Sequence, residues 1–221
     1  MIADVSKAHR LAEALATRLC HDLSSPLNTL IGVADVVADD PDAAPALLRE
    51  ALGLVGEASQ ALAQRLRICR AAWGSAAALG GAAFAELAGS LASKRLDIDL
   101  SHLNQSAEFP AEAARLALNL VLLAVEALPR GGVIGLQGNA EDGLVIQIDG
   151  PNAAWPVGFL GLLADPAAAW DRLDDPALLQ APLTVLLAQH SALRISVLMG
   201  AAGSGAPALR LAWPAGPQAT R

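Results

Sequence analysis

Arg18-Leu19-Cys20-His21-Asp22-Leu23-Ser24-Ser25-Pro26-Leu27 is the stretch on which the fold turns, because its apolar residues continue a repeat that starts before it and outlasts it. The series Leu11, Leu15, Leu19, Leu23, Leu27, Leu30, Ala34, Val37 advances by steps of four and three, which keeps these side chains on one slowly drifting helical stripe. The pattern predicts a long helix over residues 4–39 with one face committed to a core. A second periodic segment, residues 43–73, follows the turn residues Asp39-Asp40-Pro41-Asp42, so the first third of the chain reads as a helical hairpin.

The second helix carries two stripes: Leu48, Leu52, Val55, Leu62, Leu66, Cys69, Trp73 on one line and Leu47, Leu54, Ala61, Ile68 on another. At about 100° per residue the two lie roughly a quarter to a third of a turn apart, and one neighbour within the hairpin cannot cover both. Two copies can, which predicts a homodimer whose hairpins form a four-helix bundle. The alternative is that the second stripe packs on the C-terminal half of the same chain.

After the glycine-rich break at Gly74–Gly81 the texture changes. A helix at Phe84–Ser93 leads to Leu96-Asp97-Ile98-Asp99-Leu100, whose strict alternation reads as a half-buried strand. Pro110 opens an apolar helix to Leu128. Val133–Gln137 and Leu144–Ile148, joined by turn residues over 138–143, read as a hairpin; helices near 157–173 and 175–190 and strands near 193–199 and 207–213 follow. The fold class is α+β: residues 1–77 a helical-hairpin domain, residues 78–221 an α/β sandwich with a mixed sheet covered on one face by helices.

At 221 residues and 54% hydrophobic the chain can bury a sizeable core. Charges interrupt the apolar runs well short of the roughly 18 residues a membrane span needs, and the first residues lack the basic start, apolar core and cleavage site of a secretory signal, which predicts a cytoplasmic protein with no membrane partner. A net charge of -7 argues against nucleic acid, whose phosphates need a surplus of lysine and arginine. Cys20 and Cys69 lie in helical patterns and read as reduced thiols. No Cys/His spacing suits zinc, so no metal ligands are assigned.

The chemistry centres on His21. It stands two residues from Leu19 and from Leu23, hence about 200° from each around the helix, and faces water. A neutral imidazole so exposed is a nucleophile that another protein's site can close over, and it can attack an acyl phosphate. Asp22 is placed to receive or steer the imidazole proton, and Arg18, one turn earlier, to balance charge on an incoming phosphoryl group. Pro26 deprives the Asp22 carbonyl of its helical partner, which predicts a bend just past His21. Alone, a His-Asp pair on a helix is ordinarily just solvated surface, and the surrounding pattern is what changes the reading.

That pattern, His21-Asp22-Leu23-Ser24-Ser25-Pro26-Leu27, resembles the H-box of sensor histidine kinases, in which the histidine is phosphorylated on the first helix of a dimeric hairpin followed by an ATP-binding α/β sandwich. The ATP site departs from the kinase pattern. Asn119 keeps the first of two helical asparagines four apart, but Leu123 replaces the second and cannot coordinate a cation. Only a displaced Asp149-Gly150 stands where an adenine-receiving turn belongs, and Gly203-Ser204-Gly205 reads as a hairpin turn rather than a phosphate lid.

The chain is more similar to the ChpT-type histidine phosphotransferases, which join a kinase-like hairpin to a degenerate sandwich that does not bind ATP. The similarity is carried by Arg18–Pro26, by Gln64–Gly74 and by Leu118–Gly132, and is weak beyond residue 150. It implies that the receiver domain of a hybrid histidine kinase passes phosphate from its aspartate to His21, which hands it to response regulators. The receivers bring Mg²⁺; the chain itself uses no cofactor and no ATP. His21 and Asp22 are then the catalytic pair, and Arg18, Ser25 and Asn28 with the facing part of the second helix form the partner-binding surface. Arg65, Arg67 and Arg70 are either docking or merely solvated cations, and His9, His102 and His190 are structural. Two rivals remain: an atypical kinase, which nucleotide binding would reveal, and an adaptor indifferent to replacement of His21.

Overall fold

The computed structural model describes residues 2–39, 44–139, 143–191, 193–198 and 205–213. The helical repeat forms α1 (Ile2–Asp39), and the second segment forms α2 (Pro45–Trp73), packed against it. Pro45 opens α2 where a missing N–H costs nothing, and Gly74 closes it by returning its N–H to the Arg70 carbonyl at 3.0 Å. Apart from Asp39, the turn read between the helices lies outside the described residues. Pro26 sits inside α1, which continues through it as one element. The Ser24 and Thr29 hydroxyls donate to the Cys20 and Ser25 carbonyls at 2.7 and 3.2 Å, on either side of the proline.

Beyond Gly74 the chain runs β1 (Leu79–Gly80), α3 (Gly81–Gly89), β2 (Leu96–Leu103), β3 (Glu108–Phe109), α4 (Ala111–Glu126), β4 (Gly132–Asn139) and β5 (Gly143–Asp149). It continues through α5 (Phe159–Ala164), 3₁₀ turns at Pro166–Arg172 and Pro176–Leu178, α6 (Gln180–Ser191), β6 (Arg194–Leu198) and β7 (Ala208–Ala212). The main sheet has the order β2-β4-β5-β7-β6. It is mixed, with β2 and β4 parallel and the other neighbours antiparallel. In β5, Leu144, Ile146 and Ile148 are buried while Gln147 and Asp149 are exposed, so one sheet face meets the helices and the other meets water.

The single helix expected over 157–173 is corrected to α5 plus a 3₁₀ turn, and that over 175–190 becomes a second 3₁₀ turn followed by α6. The breaks fall at Gly158, held at φ 86°, and before Pro166 and Pro176, whose rings push Asp165 and Asp175 out of the α region to φ -128° and -105°. The two-residue pairing of β1 with β3, Leu79 opposite Phe109, is too short to leave a period in the sequence.

One buried cluster runs from the sandwich through Ile68, Cys69 and Ala72 of α2 to Ala14 of α1. The core is therefore continuous across the boundary drawn between residues 77 and 78. The two stripes of α2 meet different fates along its length. Ile68 is fully buried against this chain's own sandwich, whereas Leu47, Leu52 and Leu54 at the far end are 41%, 69% and 43% exposed. Leu27, expected on the buried stripe of α1, is likewise 48% exposed.

The connection from α4 to β4 turns on Gly131 and Gly132, at φ 84° and 145°. A Cβ on Gly131 would lie 2.1 Å from the Arg95 carbonyl, so only glycine lets β4 start beside β2. Among the described residues no helix is long and apolar enough to cross a membrane.

Candidate functional site

His21 and Asp22 are neighbours in sequence and opposites in environment. The His21 side chain is 78% exposed on α1, between the half-buried Leu19 and Leu23, as the stripe geometry requires. Asp22 is turned about 100° further round, onto the inner seam that also carries Leu15 and Leu19, and its carboxylate is only 6% exposed. A carboxylate so placed needs compensation. Arg18 supplies it through Nε, 3.1 and 3.2 Å from the two carboxylate oxygens. Arg65 of α2 donates from Nη2 to Oδ2 at 2.5 Å. Asp22 Oδ1 lies 3.5 Å from His21 Nδ1, which leaves Nε2 as the outer, unobstructed nitrogen.

Arg18 does not face a partner. Its Nη2 donates to Glu126 Oε1 at the end of α4 (2.7 Å), and its Nη1 to the carbonyls of Pro176 and Ala177 (3.0 and 3.2 Å). With Nε on Asp22, every guanidinium nitrogen is engaged within the chain and the side chain is 12% exposed. The role read from sequence, balancing a phosphoryl group directly, is therefore corrected: Arg18 joins the helix that carries His21 to the sandwich. Burial opposes its charge, but Glu126 and Asp22 more than compensate and hold the guanidinium above its ordinary pKa. Glu126 moves upward as well, because burial disfavours its carboxylate and Arg18 only partly restores it.

Below His21 an open groove of about 410 Å³ lies between the helices, lined by Ser25 and Thr29 of α1 and by Leu54 and Ala61 of α2, with Asp22 and Arg65 at its head. Ser25 is exposed there, and Asn28 is exposed one turn further along α1. Arg67 and Arg70 are exposed, whereas Arg65 is drawn inward. Arg65 and Glu126 are the residues whose parts the sequence reading missed. The signal was available for Arg65: it falls on the seam of Ala58, Ile68, Cys69 and Ala72, where a cation requires a counter-charge, and Asp22 is the acid on the facing seam.

The residues compared above with a kinase ATP site are packed within this chain. Asn119 is fully buried; its Nδ2 donates to the carbonyls of Ala72 and Arg115 at 2.7 and 2.9 Å, and its Oδ1 accepts from Gln180 Nε2 at 2.9 Å. Leu123 is also fully buried. Gly150 packs against the Gly131–Gly132 turn, where a Cβ would come 2.5 Å from the Gly131 carbonyl. The buried Trp155 indole donates to the Pro207 carbonyl at 2.7 Å.

Residues 82–203 match the family model described as the histidine phosphotransferase C-terminal domain. The chain belongs to this family. It is 27% identical over 199 residues to the protein phosphotransferase ChpT of Brucella abortus (strain 2308), covering 85% of this chain and 89% of that one. A solved bacterial phosphotransferase described at 1.7 Å shares the fold, with a TM-score of 0.70 at 24% identity over 91% of this chain and 94% of the other. A histidine phosphotransferase by family, the chain is an enzyme of phosphoryl transfer in a phosphorelay. Asn119 lies within the matched region and in this chain joins α4 to α6 and, through the Ala72 carbonyl just outside that region, to the end of α2.

Proposed function

We propose that His21 is the phosphoacceptor of this phosphotransferase, taking a phosphoryl group from the aspartyl phosphate of a hybrid kinase's receiver domain and passing it to the aspartate of a response regulator. The observation that carries the reading is the contrast at one turn of α1, an imidazole 78% exposed beside a carboxylate 6% exposed and fixed by two arginines. Attack by Nε2 forms an N–P bond as the acyl P–O bond breaks, and the receiver's carboxylate leaves with the electron pair. The ring then carries positive charge with its proton on Nδ1, and Asp22 Oδ1 stands on that side to offset it. The second transfer reverses these steps on another receiver. Such chemistry is chiefly positioning, so a presented nucleophile and a docking surface suffice from this chain. Ser25 and Asn28, exposed beside the groove, belong to that surface, and Mg²⁺ enters with each receiver.

The chain works without ATP of its own. Supporting this, Asn119 has its amide engaged in the core and Leu123 offers no ligand. It works as a cytoplasmic homodimer: Leu27, Ile31, Leu47 and Leu54 are each more than 40% exposed on the outer half of the hairpin, an apolar face suited to a second copy. Incubation with a phosphorylated receiver and Mg²⁺, beside a His21→Ala variant and an ATP-only control, tests the scheme by acid-labile phosphate. Label from the receiver on the parent alone is expected. Label from ATP would make the protein a kinase, and binding without label an adaptor.

A further inference from the structure

The ion pairs around His21 do not end at the hairpin. Glu126 Oε1 accepts from Arg18 Nη2 at 2.7 Å, Arg18 Nε reaches Asp22 at 3.1 Å, and Asp22 Oδ1 faces His21 Nδ1 at 3.5 Å. Four side chains thus lead from the last turn of a sandwich helix to the imidazole. Arg65 braces the middle of this line from α2, and the Pro176 and Ala177 carbonyls brace Arg18 from the 3₁₀ turn. Further up α1, Arg10 pairs with Asp174 at 2.8 Å and Lys7 lies 5.1 Å from the Trp170 ring centroid. The sandwich therefore grips the same face of α1 at three levels, and the lowest grip, at Arg18, is three residues from His21.

We propose that Glu126 is a positioning residue for phosphotransfer: by holding Arg18 it fixes the Asp22 carboxylate at His21 Nδ1, keeping the neutral imidazole protonated there and the Nε2 lone pair outward. Glu126 touches neither His21 nor any incoming phosphoryl group, and its effect passes through Arg18 and Asp22. The competing arrangement is available at once, because an Arg18 released by Glu126 can bring Nη2 beside Nε on Asp22, with Nη1 still on the Pro176 and Ala177 carbonyls, and pull the carboxylate off the imidazole. The proposal rests on His21 being the phosphoacceptor, and it gives the degenerate sandwich work that needs no nucleotide.

The test uses the full-length protein with ¹⁵N-labelled histidine. In the parent, neutral His21 is expected to carry its proton on Nδ1 in long-range ¹H–¹⁵N spectra. Glu126→Ala is expected to shift the population toward the Nε2–H form and to slow loading from a phosphorylated receiver by about tenfold. Glu126→Gln, which still offers Arg18 an oxygen, should restore most of both, which neither a lost charge nor a loosened fold predicts. Circular dichroism of both variants confirms that the fold is retained. A Glu126→Ala protein with the parent's tautomer ratio and loading rate overturns the proposal while leaving His21 as the acceptor. A parent that takes no label on His21 overturns the acceptor reading, and the proposal with it.

Discussion

Adjacent positions on one helix can divide two demands that a single residue cannot meet. The nucleophile must be open to a partner, and the group that steadies its charge must be held still. In the proposed scheme His21 meets the first and Asp22 the second, because adjacent positions differ by about 100°, enough to move one side chain from water to the seam. His21→Ala should abolish labelling by a phosphorylated receiver yet leave the thermal midpoint unchanged, since an exposed imidazole takes little part in packing. Arg18→Ala should behave oppositely in stability, losing about 3 kcal/mol by urea titration because it strands Glu126 and half of the Asp22 pairing.

The pH dependence at Glu126 follows from its raised pKa. The folded chain holds that proton where the unfolded chain has released it, so this group's stabilisation is complete below about pH 4. It is lost as pH rises through the raised value. Glu126→Gln removes this loss, and its urea midpoint should gain on the parent's as pH rises above about 4.

At the scale of elements, Asn119 makes α4 a joint between its neighbours. Asn119 meets the last turn of α2 through the Ala72 carbonyl and meets α6 through Gln180, whose carbonyl in turn accepts from Thr184 Oγ1 at 2.6 Å. Asn119→Ala should cost about 2 kcal/mol, measured by chemical denaturation, because it leaves the Ala72 carbonyl without its donor in a dry interior and removes one of the three acceptors of Gln180 Nε2. The position of α4 was legible from its apolar run and its opening proline, but the use of Asn119 was not. Its partners lie 47 and 61 residues away, and nothing in local spacing brings them to mind. The same limit hid Glu126, which stands 108 residues from Arg18. By contrast, the hairpin and the alternating strands announce themselves because their periods are local. Residues 157–173 read as one helix because alanine and leucine suit one, and Gly158 and Pro166 are the residues that break it.

For the molecule as a whole, the two fates of the α2 stripes divide the protein at His21. Above it, Ile68, Cys69 and Ala72 are sealed by this chain's own sandwich; toward the far end of the hairpin, Leu27, Ile31, Leu47 and Leu54 stay open. Packing on the chain's own sandwich therefore accounts for the Ile68 end of the second stripe, and the proposed second copy is the reading for the open end. The intramolecular core does not use the open half, so removing its apolar character should leave the sandwich intact. Ile31→Glu combined with Leu54→Glu is expected to convert a particle of twice the monomer mass into a monomer in sedimentation equilibrium, with far-UV circular dichroism retained. His21 and its ion pairs reside in one chain, so the monomer should still be labelled by a phosphorylated receiver wherever the groove of Ser25 and Thr29 suffices for docking. Labelling reduced by more than about tenfold in a folded monomer would instead mean that the receiver also rests on the second hairpin.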